Sequence, residues 1–218
     1  MMKYHALIPV RDFSNTKLRL RNSLTERQRS ELTSALLDVV LRSIQQSKID
    51  DILVIATQPD EVLSKQNRFS KLKVVQEVRK RGGVNNAFIQ GMGELSQDEE
   101  ISSFFLLPSD LPFVNRNAVD QAISHFEGVD VLINPSRKMD GTNLLVMRSN
   151  TRIPLHYDDN SYFRHLEECK KLNLRTKVLQ EAPFSDDVDD GDDLFMVEQK
   201  LGVSTIQELI LELGKERS

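Results

Sequence analysis

The chain has 218 residues, a formal net charge of −4 and a single cysteine, and its composition is 39% hydrophobic and 28% charged. This length allows one sizeable core, so we expect a single domain over residues 1–218 in a cytoplasmic protein without an internal disulfide bond. The acidic balance argues against a nucleic-acid binder, and no apolar run approaches the roughly 18–20 residues of a membrane-spanning helix.

Apolar runs rich in β-branched residues alternate along the chain with segments of helical period. We predict buried strands at 4–10, 51–57, 73–76, 103–108 and 129–134. We predict helices after residue 26 and at about 84–95, 116–126, 161–171, 190–201 and 205–213. This alternation predicts an α/β fold with a doubly wound, mixed but mostly parallel sheet.

Two helix starts have the spacing of a capping box. Ser23 with Glu26 is predicted to open the first helix, and its apolar residues then recur on one face at Leu32, Leu36, Val40 and Ile44. Ser204 with Gln207 is predicted to open the last helix, which Gly214 would close.

Basic residues follow the first strand, in "PVRDFSNTKLRL". In an open α/β sheet, ligands bind beyond the carboxyl ends of the strands. Arg11, Lys17 and Arg19 therefore suit polyphosphate oxygens, although a solvated basic turn is the alternative interpretation of each.

A glycine pair follows the third strand, in "EVRKRGGVNNAF". Gly82 and Gly83 would let backbone amides approach a ligand closely before a helix begins near Asn85. Taken alone, the same pattern would also suit a surface turn or a nucleic-acid patch.

Acidic residues occur in two further places. Asp110 follows the fourth strand between Pro108 and Pro112, where a fixed carboxylate suits Mg²⁺. The segment "SDDVDDGDD" adds Asp187 and Asp189, which would point the same way if that segment is extended. Its other aspartates are expected to cap or flank the helix that begins near residue 190.

Two polar segments could contact an anion. "MDGTNLLVM" places Thr142 just before an apolar run typical of a strand, and "YDDNSYFRHLEE" places Ser161 as a helix N-cap. A tight turn and an ordinary cap are the alternatives. The histidines have no metal-ligand spacing, and no Ser/His/Asp arrangement is recognisable, so hydrolysis through a serine or cysteine is unsupported.

The ordered set "PVRDFSNTKLRL", "RGGVNNA", "LPSDLP", "DGTNLLV", "DNSYFRHL" and "DDVDD" resembles the 2-phospho-L-lactate guanylyltransferase (CofC) family of deazaflavin coenzyme biosynthesis. The resemblance covers nearly the whole chain. It implies a fold similar to nucleotide-diphospho-sugar transferases, the substrates GTP and 2-phospho-L-lactate, and Mg²⁺ as cofactor. A homodimer is compatible with the sequence, which does not give the oligomeric state.

The resemblance also implies a role for the metal site and the basic loop. Asp110, Asp187 and Asp189 match the residues that would hold the metal ions. Lys17 and Arg19 match the basic loop that meets the triphosphate, and with Asp110 they would be catalytic.

Other matched positions would contact the base and the acid. Gly83 and Asn85 match the loop near the base and ribose, and Thr142 and Ser161 match contacts to the phosphorylated acid. Asp158, in the same acid-binding segment, stands where the family often has glycine. "DDGDD" replaces the family's more usual Thr-Pro-Glu-Asp helix start.

Rival interpretations remain open. A related nucleotidyltransferase could use phosphoenolpyruvate, 3-phosphoglycerate or a sugar phosphate, and a glycosyltransferase could use "DVD" as its metal motif. From a different class, a noncatalytic nucleotide- or RNA-binding module could use "RKRGG" to contact phosphates. The paired carboxylates and the acidic balance argue against that module.

Overall fold

The structure, a computed structural model, describes residues 2–78, 83–95, 102–151 and 153–215. Within these residues, the strands of one sheet are β1 (Lys3–Val10), β2 (Asp51–Ala56), β3 (Leu72–Gln76), β4 (Ser102–Leu106), β5 (Val131–Pro135), β6 (Thr142–Arg148) and β7 (Thr176–Val178). Their order is β3-β2-β1-β4-β6-β5-β7. Only β6 runs antiparallel to its neighbours, β4 and β5, so the predicted mixed, mostly parallel sheet is confirmed.

The helices in the described part of the chain are α1 (Glu26–Gln45), α2 (Asp60–Leu63), α3 (Gly83–Leu95), α4 (Arg116–Phe126), α5 (Ser161–Lys171), α6 (Ala182–Ser185), α7 (Gly191–Leu201) and α8 (Ile206–Gly214). Two short 3-10 turns lie between β1 and α1. None of the described helices combines the length and the apolar character needed to cross a membrane.

Helices cover both faces of the sheet, as the doubly wound prediction requires. Ala6 and Ile8 of β1 point into one core, where Leu36 of α1 is fully buried. Leu7 points to the opposite face, where Phe88 of α3 packs. Because both faces are covered, the strand ends are the part of the sheet that remains open to a ligand.

The predicted N-terminus of α1 is wrong by two residues. Thr25, not Ser23, is the N-cap, and its hydroxyl accepts a hydrogen bond from the Gln28 amide while Gln28 Oε1 accepts from the Thr25 amide at 2.9 Å. The reason is the preceding 3-10 turn, in which the Ser23 amide already donates to the Leu20 carbonyl. The residues predicted for the buried face of α1 are confirmed as buried.

The ends of α8 also differ from the prediction. Thr205 is the N-cap and pairs with Glu208 in a capping box, whereas Ser204 lies one position earlier and also donates to Glu208. Gly214 is the last residue of the helix instead of the residue after it. Two hydroxyl residues in succession give overlapping capping patterns, and only the backbone angles decide between them.

Candidate active site

A cavity of about 840 Å³ opens at the edge of the sheet where β1 to β4 end. Val10 ends β1, Thr57 follows β2, Glu77 follows β3 and Asp110 follows β4, and all four line the cavity. Thr142 joins them from the start of β6, because an antiparallel neighbour of β4 begins where β4 ends. This is the edge where open α/β sheets bind ligands.

Most of the predicted site residues meet in this cavity. Those that line it are Arg11, Gly83, Asp110, Thr142, Ser161, Asp187 and Asp189. Those that are described but lie beside it are Lys17, Arg19, Asn85 and Asp158. Gly82 lies outside the described residues.

The loop after β1 brings a lysine to the acidic residues. Asp12 stabilises the first turn of this loop, because its carboxylate accepts a hydrogen bond from the Ser14 amide at 2.9 Å. Lys17 adopts a left-handed backbone conformation with φ of 50°. Its ammonium group donates to Asp110 Oδ2 at 2.9 Å and to the Val188 carbonyl oxygen, so it joins the end of β4 to the segment before α7.

Asp110 is held by its neighbours in the proline turn. Leu111 is fully buried, and the prolines on either side restrict the backbone. While Oδ2 is bound by Lys17, Asp110 Oδ1 is buried and has no hydrogen-bond partner in the described part of the chain. A buried carboxylate oxygen without a partner is costly, which makes it a candidate metal or ligand contact.

Asp187 and Asp189 share the cavity wall, as their alternation with Val188 predicts. Val188 is fully buried in the core on the other side of the segment. Burial, followed by the nearby negative charges of Asp110 and Asp189, raises the pKa of Asp187 to about 7. Burial and Asp110 also raise the pKa of Asp189.

Two further aspartates of this segment, Asp190 and Asp193, organise the start of α7. Asp190 is the N-cap of α7 and forms a capping box with Asp193. Asp193 also accepts a hydrogen bond from Arg137 at 2.8 Å and one from the Asp189 amide at 3.2 Å. The sequence "DDGDD" therefore opens the helix despite its departure from the family pattern, and it fixes the backbone beside Asp189.

The carboxylates of Asp110, Asp187 and Asp189 suit a hard divalent cation. Burial, followed by their mutual repulsion, raises the pKa values of Asp187 and Asp189, and Asp110 Oδ1 has no hydrogen-bond partner in the described part of the chain. Among the described residues, no three acidic, histidine or cysteine side chains converge closely enough to enclose a metal ion. Mg²⁺ needs only one or two protein carboxylates and completes its coordination with water and substrate phosphate, so carboxylate oxygens of this kind are of a type that fits it.

Asn85 connects the start of α3 to the loop before α5. Its Oδ1 accepts a hydrogen bond from the Tyr157 amide at 2.8 Å, and its Nδ2 donates to Asp158 Oδ2 at 2.8 Å. Gly83 begins α3 with φ of 71°, a conformation that disfavours residues with a Cβ atom. The predicted base-side loop and the predicted acid-side loop are thus joined directly to each other.

Thr142, at the start of β6, and Ser161, at the start of α5, both line the cavity. Both side chains are nearly fully buried. The prediction that Ser161 is an N-cap is wrong, because Asn160 takes the cap position in a left-handed conformation with φ of 46°. Ser161 is the first residue of α5 and lines the cavity from there.

Sequence reasoning missed His165. Its Nδ1 lies 3.0 Å from Thr142 Oγ1, and its Nε2 accepts a hydrogen bond from the His156 amide at 3.0 Å. The spacing of four residues from Ser161 on one helix was an available signal, since it places both side chains on the same face. Its partner Thr142 depends on the sheet register, which the sequence does not show.

We predict that His165 makes the protein less stable as the pH falls. Burial, with the charges of His156 and Arg164, lowers its pKa to about 4 against the opposing effect of Glu168. The unfolded chain protonates near pH 6.5 and the folded chain does not, so the free energy of unfolding falls between these values, by up to about 3 kcal/mol. Urea unfolding from about pH 7 to about pH 5 should show a steeper loss for wild type than for His165→Asn. Equal slopes would contradict the prediction.

Solved structures that superpose on this chain include two transferases. A candidate nucleotide-diphospho-sugar transferase from Desulfovibrio desulfuricans G20 superposes with a TM-score of 0.77 at 17% identity, covering 98% of this chain and 95% of that one. A nucleotidyl transferase from Methanothermobacter thermautotrophicus gives 0.65 at 11% identity, covering 91% and 97%. At these identities the likeness shows the fold, which is that of nucleotide-diphospho-sugar transferase-like structures.

Relatives that are similar in sequence identify the family. The 2-phospho-L-lactate guanylyltransferase of Methanocaldococcus jannaschii is 30% identical over 193 residues, 88% of this chain and 81% of that protein. The enzyme of the same name from Methanocaldococcus sp. strain FS406-22 is 32% identical over 188 residues, 86% and 78% of the two chains. Residues 4–201 match the family described as "Guanylyl transferase CofC like". The chain belongs to the CofC family.

Proposed function

We propose that the protein transfers GMP from GTP to 2-phospho-L-lactate, giving lactyl-2-diphospho-5′-guanosine and pyrophosphate. The observation that supports this most is the gathering of Asp110, Asp187 and Asp189 beside the Lys17 loop in one cavity. The names of the relatives support the choice of GTP and of the acid.

The residues that line the cavity would divide between the parts of the two substrates. Gly83 would lie near the base and Arg11 near the triphosphate. Thr142 and Ser161 would contact the phosphorylated acid. The acid phosphate would then approach the α-phosphorus from the side of β6, which fixes both reactants in one orientation.

Asp110, Asp187 and Asp189 would hold Mg²⁺. Bound there, Mg²⁺ would neutralise charge between the two anionic substrates and on the leaving pyrophosphate. The neighbouring cations of this chain act in the same direction, since the charges of Lys17 and Arg19 oppose the rise that burial and Asp110 cause in the pKa of Asp189. These basic side chains would orient the triphosphate and stabilise the departing group.

The reaction forms one bond and breaks one. An oxygen of the acid's phosphate attacks the α-phosphorus of GTP, and the bond from that phosphorus to the β-phosphate oxygen breaks, releasing pyrophosphate. A phosphate monoester has a second pKa of about 6 and is largely ionised at neutral pH, so no side chain needs to remove a proton. Positioning and charge stabilisation are therefore the tasks of the protein.

The acidic limb of the rate profile should follow ionisation of the substrate phosphate. The limb should stay in place in His156→Gln and His165→Gln, even where the rate falls, because neither histidine acts as the base. A phosphorothioate analogue of the acid, which ionises at lower pH, should shift the limb to lower pH. A limb that disappears with either histidine while both substrates still bind would establish a histidine base.

The direct test is a matrix of substrates. The protein would be incubated with Mg²⁺, each of the four nucleoside triphosphates, and 2-phospho-L-lactate, phosphoenolpyruvate, 3-phosphoglycerate or a sugar phosphate, while pyrophosphate is measured. We expect the highest kcat/KM for GTP with 2-phospho-L-lactate. A preference for another acid would reassign the acceptor, and no pyrophosphate in any combination would support a noncatalytic nucleotide-binding protein.

A further inference from the structure

His165 is a fully buried histidine that no step of the proposed reaction uses. It lies between two elements of the acid side of the cavity, the start of β6 and the loop before α5. Its Nδ1 is 3.0 Å from Thr142 Oγ1, and its Nε2 is 3.0 Å from the His156 amide nitrogen. The Tyr157 ring packs against it with ring centroids 5.0 Å apart.

The hydrogen bond from His156 determines the tautomer of His165. A backbone amide can only donate, so Nε2 must accept and cannot hold a proton. The neutral ring then holds its proton on Nδ1 and donates it to Thr142 Oγ1. The amide of the next residue, Tyr157, is bound to Asn85 at 2.8 Å, so the loop that imposes this tautomer is itself fixed.

This tautomer determines the direction in which the Thr142 hydroxyl donates. A threonine hydroxyl has one proton, and Oγ1 already accepts from His165, so its proton must go to another acceptor. The described part of the chain gives Thr142 Oγ1 no second hydrogen-bond partner. The side chain is 4% exposed, and it lines the cavity.

We propose that His165 is a positioning residue that makes the Thr142 hydroxyl a hydrogen-bond donor to the anionic acid. The inference rests on the proposed function for the identity of that acid. The opposite tautomer would take the hydroxyl proton for itself and present an oxygen lone pair to the substrate. Since a carboxylate or phosphate offers only acceptors, that arrangement would repel the acid.

Paired variants separate the two hydrogen bonds of the ring. An asparagine amide reaches the position of Nδ1 and a glutamine amide that of Nε2. His165→Asn can therefore still donate to Thr142, whereas His165→Gln keeps only the contact with the His156 amide. We expect His165→Gln and Thr142→Val each to raise the KM for the acid about ten-fold, the loss of one hydrogen bond to a charged group. The KM for GTP should remain within about two-fold.

Further variants test the dependence on Thr142 and provide a control. His165→Asn and Thr142→Ser should each retain most of the wild-type affinity for the acid. The double variant His165→Gln/Thr142→Val should be no worse than Thr142→Val alone, because both changes remove one interaction. His125→Gln replaces a histidine that contacts Lys177 away from the cavity, and it should behave as wild type. Full additivity, or a folded His165→Gln with wild-type KM for the acid, would overturn the proposal.

Nitrogen NMR of the wild-type protein labelled in its histidines provides a test that needs no turnover. We expect the His165 ring to be neutral at pH 7 with its proton on Nδ1. A proton on Nε2 would overturn the inference whether or not any substrate reacts. The kinetic comparison uses whichever phosphorylated acid the wild type accepts, so failure with 2-phospho-L-lactate would count against the proposed function and not against the role of His165.

Discussion

Replacing Asp110 with asparagine should lower kcat by more than about 100-fold. The substitution removes one negative charge from the carboxylates that would hold Mg²⁺. It also replaces one carboxylate oxygen with an amide NH2 group, at a residue whose Oδ1 is buried without a hydrogen-bond partner in the described part of the chain. Asp189→Asn should have a similar effect. The fold should be retained, because the loss of attraction to Lys17 is offset by relief of repulsion from Asp187 and Asp189. Kinetics at saturating GTP and thermal unfolding would measure the two effects.

A matched aspartate elsewhere serves as the control. Asp130 is bound by Arg175 at 2.8 Å, away from the cavity, and its pKa is lowered to about 2 by that contact. Asp130→Asn should leave kcat unchanged. If Asp110→Asn retained near-wild-type activity at limiting Mg²⁺, its assignment as a metal ligand would be wrong.

Lys17→Met should weaken both catalysis and stability. The lysine side chain is 4% exposed, and it is paired with Asp110 in a group of three carboxylates. Its removal leaves these charges without their nearest cation, which we expect to cost about 3 kcal/mol in the free energy of unfolding. The kcat/KM for GTP should also fall about 100-fold, through lost contact with the phosphates.

The double variant Lys17→Met/Asp110→Asn distinguishes these two effects. It removes one charge of each sign, so its stability should return close to wild type while its activity stays lost. Urea unfolding and GTP kinetics on the same preparations would measure both quantities. An unchanged KM for GTP together with an unchanged kcat in Lys17→Met would remove Lys17 from the site.

The sequence predicted the parts of the site that follow buried strands. Runs such as "SFFLLP" are long and apolar enough to be recognised as strands, and the residues after them are then placed at one edge by the sheet topology. Asp110 was located in this way. Asp187 and Asp189 were predicted from the two-residue alternation of an extended segment, which is a local property.

The details that were wrong or missed depend on longer-range structure. Ser23 and Ser161 were assigned as caps from pattern alone, but Thr25 and Asn160 have the backbone angles of the cap position. His165 was missed because its partner, Thr142, is distant from it in the sequence. Thr142 reaches this position only because β6 pairs antiparallel with β4.

Guanylyl transfer can be tested directly by following the phosphorus atoms of GTP. GTP labelled on either the α- or the γ-phosphorus would be incubated with the protein, Mg²⁺ and 2-phospho-L-lactate, and the products would be separated. We expect the α-label to enter a product containing lactate and guanosine, while the γ-label is recovered in an equal amount of pyrophosphate. A γ-label on the acid, or pyrophosphate released at the same rate without the acid, would contradict guanylyl transfer to a phosphate oxygen.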